Sequence, residues 1–230
     1  MKRRAILVLS GGQDSATCGL MLRDDFLFHT LSFNYGQRHL KELHHAARVS
    51  TLLGSVDHHV QKVKFPRETS SLTDKNISVE DVGAVVDSLP NTFVPGRNLL
   101  FLTMAAVHAA GIRQRYDLNY LPPIITGVCQ TDFSGYPDCR HTTITSLAKT
   151  LSLGMDSVVD IFTPLMWMTK RETVIEAACH QGWEEVIGET WTCYRGEDAP
   201  CGVCPACVLR KKGFEEAGIR DPAQAKFHTT

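Results

Sequence analysis

Short apolar runs alternate along the chain with segments whose apolar residues recur at three- to four-residue spacing. The first pattern predicts strands and the second predicts helices. Strands that alternate with helices indicate an α/β domain whose parallel sheet has helices on both faces. The predicted strands are Ala5–Leu9, Leu27–Tyr35, Val56–Val63, Ile124–Val128 and Val158–Phe162. The predicted helices are Ser15–Asp24, Gln37–Leu53, Asn98–Ile112, His141–Gly154, Thr169–Gln181 and Pro205–Ala217.

Proline and glycine mark several of these boundaries. Gly54, Gly182 and Gly218 each follow a helical pattern and predict its end, and Pro205 suits the first turn of the last helix. Residues 65–96 form a long polar segment, which in a compact domain is usually functional or mobile. We divide the chain into an α/β domain over residues 1–188 and a C-terminal region with the final helix over residues 189–230.

Composition narrows the class of protein. The 230 residues are 43% apolar and 21% charged, with a formal net charge of -1. This balance is typical of globular domains and argues against a protein that coats nucleic acid. The uncharged run Leu99–Ile112 is too short to cross a bilayer. The basic N-terminus is followed by too few apolar residues for a signal peptide, so we expect a cytoplasmic protein without a membrane partner.

The segment Ser10-Gly11-Gly12-Gln13-Asp14-Ser15 lies between the first predicted strand and the first predicted helix. Two glycines allow a tight turn that approaches a ligand closely, and a helix start offers unpaired N–H groups with partial positive charge. The segment therefore predicts a cradle for pyrophosphate, to which the hydroxyls of Ser10 and Ser15 add donors. A structural turn capped by Asp14 or Ser15 is the alternative. The spacing matches neither a Walker loop nor a dinucleotide-binding loop.

Four of the eight cysteines, Cys193, Cys201, Cys204 and Cys207, are separated by seven, two and two residues. Two-residue spacers let thiolates converge on one metal, and four thiolates complete a structural tetrahedral Zn²⁺ site. An iron–sulfur cluster is an alternative, although the ferredoxin pattern would place a cysteine at position 211, which is lysine. Disulfides are disfavoured because no export signal is present. The other four cysteines are predicted to be packing residues, with Cys18 as an exception because it lies one helical turn past Asp14. The adjacent histidines at 44–45 and 58–59 cannot chelate a metal as pairs and are predicted to be structural or surface residues.

Three further places are candidates for binding a substrate. Arg97 stands at the start of a buried helix, where a cation opposes the helix dipole unless it faces an anion such as phosphate. Lys170 lies near another helix start and can reach phosphates. The segment from Gly127 to Arg140 follows a strand, at the edge where open α/β sheets bind ligands. Its carboxylates and aromatic rings can recognise a flat heterocycle: Asp132, Phe133, Tyr136 and Asp138. A solvated surface residue is the alternative in each case.

Six separated segments together resemble the 7-cyano-7-deazaguanine synthase family of queuosine biosynthesis, within the pyrophosphatase-loop ATPases. They are residues 10–15, 33–39, 91–98, 126–140, 162–167 and 192–207, in the family's order. The runs Phe-Val-Pro-Gly-Arg-Asn and Gly-Tyr-Pro-Asp-Cys-Arg are specific to that family, whereas Ser-Gly-Gly-x-Asp-Ser is general to the superfamily. The resemblance implies a Rossmann-like sheet of the adenine nucleotide alpha hydrolase type with a small four-cysteine zinc subdomain.

The resemblance also implies a reaction, in which 7-carboxy-7-deazaguanine, ammonia and ATP give 7-cyano-7-deazaguanine through adenylated and amide intermediates. It implies a homodimer, one structural Zn²⁺ on the four cysteines, Mg²⁺ with ATP, and no direct nucleic-acid partner. The expected ATP-binding residues are Leu9, Ser10, Gly11, Gly12, Gln13, Asp14, Ser15, Ala16, Thr17, Cys18 and Gly19. The expected catalytic residues are Asp14, Ser15, Arg97 and Lys170. The expected substrate-binding residues are Arg97, Asp132, Phe133, Tyr136 and Asp138.

Two other functions stay open at this point. One is a pyrophosphatase-loop enzyme that sulfurates tRNA with an iron–sulfur cluster, which the near-zero net charge disfavours. The other is a zinc-stabilised nucleotide sensor without turnover. The chain departs from the family's pattern at residues 113–123, which are long and polar, and at His141.

Overall fold

A computed structural model describes residues 2–81, 89–131 and 135–224. Five parallel strands form one sheet in the order β3-β2-β1-β4-β5. The strands are β1 (Arg3–Val8), β2 (Phe26–Asn34), β3 (Asp57–Lys62), β4 (Ile124–Ile125) and β5 (Ile161–Phe162). The predicted parallel α/β sheet is confirmed.

Helices cover both faces of the sheet, as predicted. They are α1 (Gln13–Leu22), α2 (Lys41–Leu52), α3 (Arg97–Arg115), α4 (His141–Gly154), α5 (Lys170–Ala178), α6 (Trp183–Gly188) and α7 (Pro205–Ala217). After its two arginines, the central strand β1 is apolar on both sides, since successive side chains point to opposite faces. Its Leu7 belongs to the core that contains residues of α1, α2, α5, α6 and α7, and its Ile6 belongs to the core that contains residues of α3 and α4.

The strand order reverses beside β1, because β2 and β3 lie on one side of it and β4 and β5 on the other. Ligands of open α/β sheets bind outside the carboxyl ends of the strands at such a reversal. The loop from β1 to α1 and the segment after β4 both start there. The fold therefore brings the predicted pyrophosphate loop and the predicted substrate segment to the same edge.

Several predicted boundaries were wrong. The apolar runs Ile124–Val128 and Val158–Phe162 contribute only two paired residues each to the sheet, at β4 and β5. The helix predicted to reach Gln181 ends at Ala178, and the short helix α6 follows it. Gly182, with a φ of 73°, begins α6.

The C-terminal region packs directly onto the rest of the molecule. Phe214 of α7 lies in the same core as α1 and α5, and Arg210 forms a buried ion pair with Asp221. The division at residue 188 stays a prediction. Among the described residues, no helix has both the length and the apolar content needed to span a bilayer.

Candidate functional site

The loop after β1 is held in a tight turn by close backbone contacts. Gly11 has a φ of 86°, and a Cβ atom there would lie 2.2 Å from the carbonyl oxygen of Glu42 in α2. Only glycine fits both the conformation and the space. Gly12 is the N-cap of α1 and receives no side-chain cap, so the first N–H groups of the helix remain available for an anion.

Two serine hydroxyls brace this turn from inside. The Oγ atoms of Ser10 and Ser15 lie 3.1 Å apart, and Ser15 donates to the Gly12 carbonyl over 3.1 Å. The Gly12 N–H donates to Ser10 Oγ over 3.2 Å. The side-chain amide nitrogen of Gln13, Nε2, is buried and has no hydrogen-bond partner within the described residues. A buried donor without a partner is costly, so a bound ligand is a natural acceptor for it.

A lysine–carboxylate pair closes one side of the loop. Lys170 Nζ lies 2.8 Å from both carboxylate oxygens of Asp14, and both side chains are largely shielded from solvent. Lys170 is the first residue of α5, whose N-cap Thr169 forms a capping box with Glu172. A cation at a helix start is unfavourable for the helix dipole, and Asp14 offsets that charge. The structure thus brings two predicted catalytic residues together beside the loop.

The other residues of the predicted nucleotide segment face the core. Leu9, Ala16, Thr17 and Cys18 are completely buried, and a Cβ atom on Gly19 would lie 2.4 Å from Leu53. These residues can support the loop but expose no side chain to a ligand. Burial, together with the nearby Asp14 carboxylate, raises the pKa of the Cys18 thiol far above its usual range. The Cys18 thiol is therefore neutral and buried in the core, and its expected contribution to ATP binding stays a prediction.

The segment after β4 touches the loop directly. A Cβ atom on Gly127 would lie 2.8 Å from both the Asp14 carbonyl carbon and the Ser15 nitrogen. Those two atoms belong to the first turn of α1. The absence of a side chain at Gly127 thus allows the two predicted ligand-binding segments to pack backbone against backbone. Sequence analysis did not single out this glycine for that role.

A second cluster of polar groups surrounds Arg97 at the start of α3. The guanidinium is half-buried, lies 6.0 Å from the ring centre of Tyr35, and is 3.5 Å from its hydroxyl. Burial alone would lower the pKa of Arg97, but the nearby phenols of Tyr35, Tyr194 and Tyr136 and the carboxylate of Asp138 together raise it overall. The guanidinium therefore stays charged and is available to an anion.

Part of the predicted substrate segment, Tyr136 and Asp138, lies near Arg97. Tyr136 is buried, stacks on Phe93 at 5.6 Å, and its hydroxyl is 2.6 Å from Thr92 Oγ1. Asp138 is buried as well and accepts the N–H of Asn98 over 3.0 Å, which caps α3. Asp132 and Phe133 lie outside the described residues. The substrate roles of these four residues stay predictions.

The four cysteines converge as their spacing predicted. One sulfur from each of Cys193, Cys201, Cys204 and Cys207 lies within 4.8 Å of all the others. In a tetrahedral site with Zn–S bonds of about 2.3 Å, neighbouring sulfurs are about 3.8 Å apart, so the cluster has the size of a single-ion site. Hydrogen bonds among these thiols lower the pKa of Cys193 and raise the pKa of Cys207, because the first thiolate formed accepts from its neighbours. Four sulfurs at this spacing suit a metal that prefers thiolates.

Trp191 forms hydrogen bonds both to the cysteine cluster and to the loop from Ser10 to Ser15. Its backbone N–H donates to the Gly11 carbonyl over 2.8 Å, and its indole N–H donates to the Cys193 carbonyl over 2.9 Å. His45 stacks on the Trp191 ring at 5.4 Å and lies 2.6 Å from the Glu189 carbonyl, a structural role of the kind predicted for it. Sequence reasoning missed Trp191, although it stands only two positions before the first cysteine.

Three comparisons with known proteins bear on this site. A model of the family described as "Queuosine biosynthesis protein QueC" matches residues 4–218. A protein named 7-cyano-7-deazaguanine synthase from Chromobacterium violaceum is 45% identical over 228 residues, 95% of this chain and 92% of that protein. A protein of the same name from Lysinibacillus sphaericus is 46% identical over 219 residues, 94% of this chain and 95% of that protein. A solved structure titled as a predicted subunit of tRNA methyltransferase from Methanocaldococcus jannaschii aligns with a TM-score of 0.42 and 15% identity, covering 76% of this chain and 74% of that one.

Proposed function

This chain belongs to the queuosine biosynthesis protein QueC family, and we propose that it is a 7-cyano-7-deazaguanine synthase. In this reaction ATP activates 7-carboxy-7-deazaguanine, ammonia supplies the nitrogen, and the product is the nitrile. The observation that carries the proposal is the end-to-end similarity to two synthases of that name. That similarity spans the phosphate loop, Arg97 and the cysteine cluster alike.

We assign the triphosphate of ATP to the loop from Ser10 to Ser15. The backbone N–H groups at the start of α1 are fixed by contacts on several sides, and donors that need no reorganisation stabilise developing charge most effectively. Lys170, 2.8 Å from Asp14, is placed to balance the charge of the departing pyrophosphate. Mg²⁺ bound with ATP would neutralise phosphate charge, and the Asp14 carboxylate has the oxygen donors that this ion prefers.

The acid is assigned to the cluster around Arg97, with Tyr136 and Asp138 beside it and Asp132 and Phe133 expected to complete it. A carboxylate oxygen of the acid attacks the α-phosphorus, the bond to pyrophosphate breaks, and an acyl adenylate forms. Ammonia then adds to the carbonyl carbon, AMP leaves with the electron pair, and the amide forms after loss of a proton. The amide oxygen then attacks the α-phosphorus of a second ATP and pyrophosphate leaves. Departure of that oxygen with AMP and loss of both nitrogen-bound protons give the nitrile.

We assign one structural zinc ion to the four cysteines. All eight cysteines are free thiols, as expected in the reducing cytoplasm, where we place the protein. Sulfurs within 4.8 Å of one another surround a single ion more readily than a multi-atom iron–sulfur cluster, so we do not adopt the tRNA-sulfurating alternative. We expect a homodimer, for which the exposed apolar side chains of Leu100 and Val107 on α3 are candidate contacts.

The test is a reconstitution of the reaction. The purified protein is incubated with ATP, ammonium and 7-carboxy-7-deazaguanine, and the products are followed by mass spectrometry while bound zinc and iron are measured. We expect the nitrile, with the amide as an earlier species, and one zinc per chain. A variant with both Asp14 and Ser15 changed to alanine serves as the inactive control. Absence of amide and nitrile from protein with intact metal content would reject the proposal.

A further inference from the structure

Arg97 has no ion-pair partner among the described residues. No Asp or Glu carboxylate there lies within ion-pair distance of its guanidinium, although the Asp138 carboxylate is near enough to act on it electrostatically, and the guanidinium donates to the Tyr35 hydroxyl over 3.5 Å. The 19-residue helix α3 begins at Arg97 and adds the positive end of its dipole. A half-buried cation at a helix start is expensive unless an anion pairs with it. The groups around Arg97, called the Arg97 pocket below, therefore favour a negatively charged ligand.

Three phenol rings lie around the Arg97 guanidinium. Tyr35 follows β2, Tyr136 follows β4, and Tyr194 comes from the segment between the first two cysteines of the cluster. Phenols are neutral at physiological pH, because their ordinary pKa is about 10. Neutral aromatic walls around one cation suit a flat heteroaromatic acid better than a bare phosphate, because the rings offer large stacking surfaces.

Tyr194 connects the pocket to the cysteine cluster. Its side chain packs both against the core that contains Tyr35 and Leu102 and against the group that contains Cys193 and Cys204. The ring also lies 5.6 Å from that of His39. Tyr194 follows the completely buried Cys193 directly in the chain, so a metal held by that sulfur fixes the backbone from which Tyr194 extends.

The segment around Tyr194 is anchored on both sides. Before it, the Trp191 indole donates to the Cys193 carbonyl over 2.9 Å. After it, Gly196 has a φ of 71° and approaches Arg38 so closely that a Cβ atom would lie 2.7 Å from that carbonyl oxygen. A ring held at both flanks and by a metal ligand keeps its orientation before a ligand arrives.

From this arrangement we propose that Tyr194 is a specificity-determining wall of the pocket for the heteroaromatic acid, stacked against its ring system and held in place by the four-cysteine site. The inference rests on the proposed function. It gives the cysteine cluster a second role, since metal binding would set the affinity for the acid as well as the stability of the fold. ATP, which we assign to the loop after β1, does not depend on this ring.

The test compares four proteins: wild type, Tyr194→Phe, Tyr194→Leu and Tyr194→Ala. Val203→Ala is the matched control, because Val203 lies in the same cysteine segment but is exposed. For each protein, dissociation constants for 7-carboxy-7-deazaguanine and for ATP are measured by calorimetry, together with zinc content and the KM of each substrate. Stacking of a base on an aromatic ring changes affinity by about tenfold or more.

We expect Tyr194→Ala and Tyr194→Leu to weaken acid binding at least tenfold and to raise its KM in parallel, with ATP affinity within twofold of wild type. Tyr194→Phe keeps the ring and should stay within threefold of wild type, as should Val203→Ala. If Tyr194→Ala loses zinc, the acid affinity of Tyr194→Leu is the measurement to use. Leucine still fills the apolar space and so keeps the fold, but it removes the aromatic ring.

Three results would overturn the inference: unchanged acid affinity in zinc-loaded Tyr194→Leu, equal losses for ATP and acid, or a loss in Tyr194→Phe as large as in Tyr194→Leu. Wild type that neither binds the acid nor forms amide would instead overturn the proposed function. The two failures are distinguishable because the second is already visible without any substitution.

Discussion

Adding one methyl group at Gly127 should damage the phosphate loop without touching any group that performs chemistry. Gly127 lies beyond β4, and its missing side chain is what allows the segment after β4 to rest on the first turn of α1. The substitution Gly127→Ala tests whether this close approach positions the backbone N–H groups that we assign to ATP.

The size of the effect follows from the contacts. The new Cβ atom would lie 2.8 Å from the Asp14 carbonyl carbon and the Ser15 nitrogen, and 3.1 Å from the Asp14 oxygen. Since non-bonded carbon contacts are optimal at about 3.5–4.0 Å, the two backbones must separate by roughly 0.7 Å or more. All three atoms belong to the backbone and cannot rotate away. Overpacking of this kind costs about 1–3 kcal/mol, and a displacement of about 1 Å in a catalytic site can reduce turnover about 100-fold.

Denaturant unfolding and steady-state kinetics measure the two consequences separately. We expect Gly127→Ala to lose about 1–3 kcal/mol of unfolding free energy and to raise the KM for ATP or lower kcat, or both. Gly111→Ala is the matched control, because Gly111 lies inside α3 with no atom within 4 Å of its would-be Cβ. That substitution should instead stabilise the protein by about 0.5–1 kcal/mol and leave kinetics unchanged.

A neutral result at Gly127 would refute the reasoning. If Gly127→Ala unfolded within about 0.5 kcal/mol of wild type, the range of an ordinary surface change, and turned over ATP at the wild-type rate, the contact with α1 would not position the loop. A loss at Gly111 equal to that at Gly127 would show that the assay reports glycine replacement in general.

Further predictions concern the charges and thiols of the site. Lys170→Met should lower kcat about 100-fold, the usual effect of removing a group that stabilises developing charge, and wild-type kinetics would contradict its role beside Asp14. Cys204→Ser should release zinc and lower the melting temperature, since metal binding energy is folding energy; an unchanged melting temperature after chelation of the wild type would contradict this. Burial holds the pKa of His29 below 6.5, so acidification below pH 6.5 protonates the unfolded chain first, and the unfolding free energy should fall between pH 7 and pH 5. Urea unfolding at several pH values measures this dependence. In His29→Gln the unfolding free energy should change less steeply with pH, by the equivalent of at most one bound proton. An identical slope in the variant and the wild type would show that His29 does not cause the pH dependence.

Residues that mark the ends of an element, such as proline and glycine, allowed that element to be predicted from the sequence. The helix from Pro205 to Ala217 begins at its proline and ends before Gly218, whose φ is 67°, because proline suits the first turn and glycine suits the left-handed end. The apolar run Ala5–Leu9 predicted most of β1, although the strand begins two residues earlier, at Arg3. The two-residue strands β4 and β5 were overpredicted, since an apolar run remains apolar after the chain has left the sheet.

In the candidate site, too, the features that could be predicted are those formed by residues close together in the chain. The loop from Ser10 to Ser15 and the four cysteines could be predicted because each is contiguous or nearly so along the chain. The contacts of Gly127 with α1 and of Tyr194 with the Arg97 pocket join segments far apart in sequence. Their geometry depends on how whole strands and loops pack, which hydrophobic periodicity does not specify. The sequence pointed to the residue types of the site but not to which backbones would touch.

Those long-range contacts also explain why a loop of small residues can hold a triphosphate. Gly11 is fixed from the α2 side by its close approach to Glu42 and from the cysteine side by the N–H of Trp191, while Gly127 supports the start of α1. A glycine-rich turn has high conformational entropy when it is free. Contacts on three sides remove that freedom during folding, so binding a triphosphate does not have to do so. The glycines are thus compatible with a rigid cradle only because distant parts of the chain close around them.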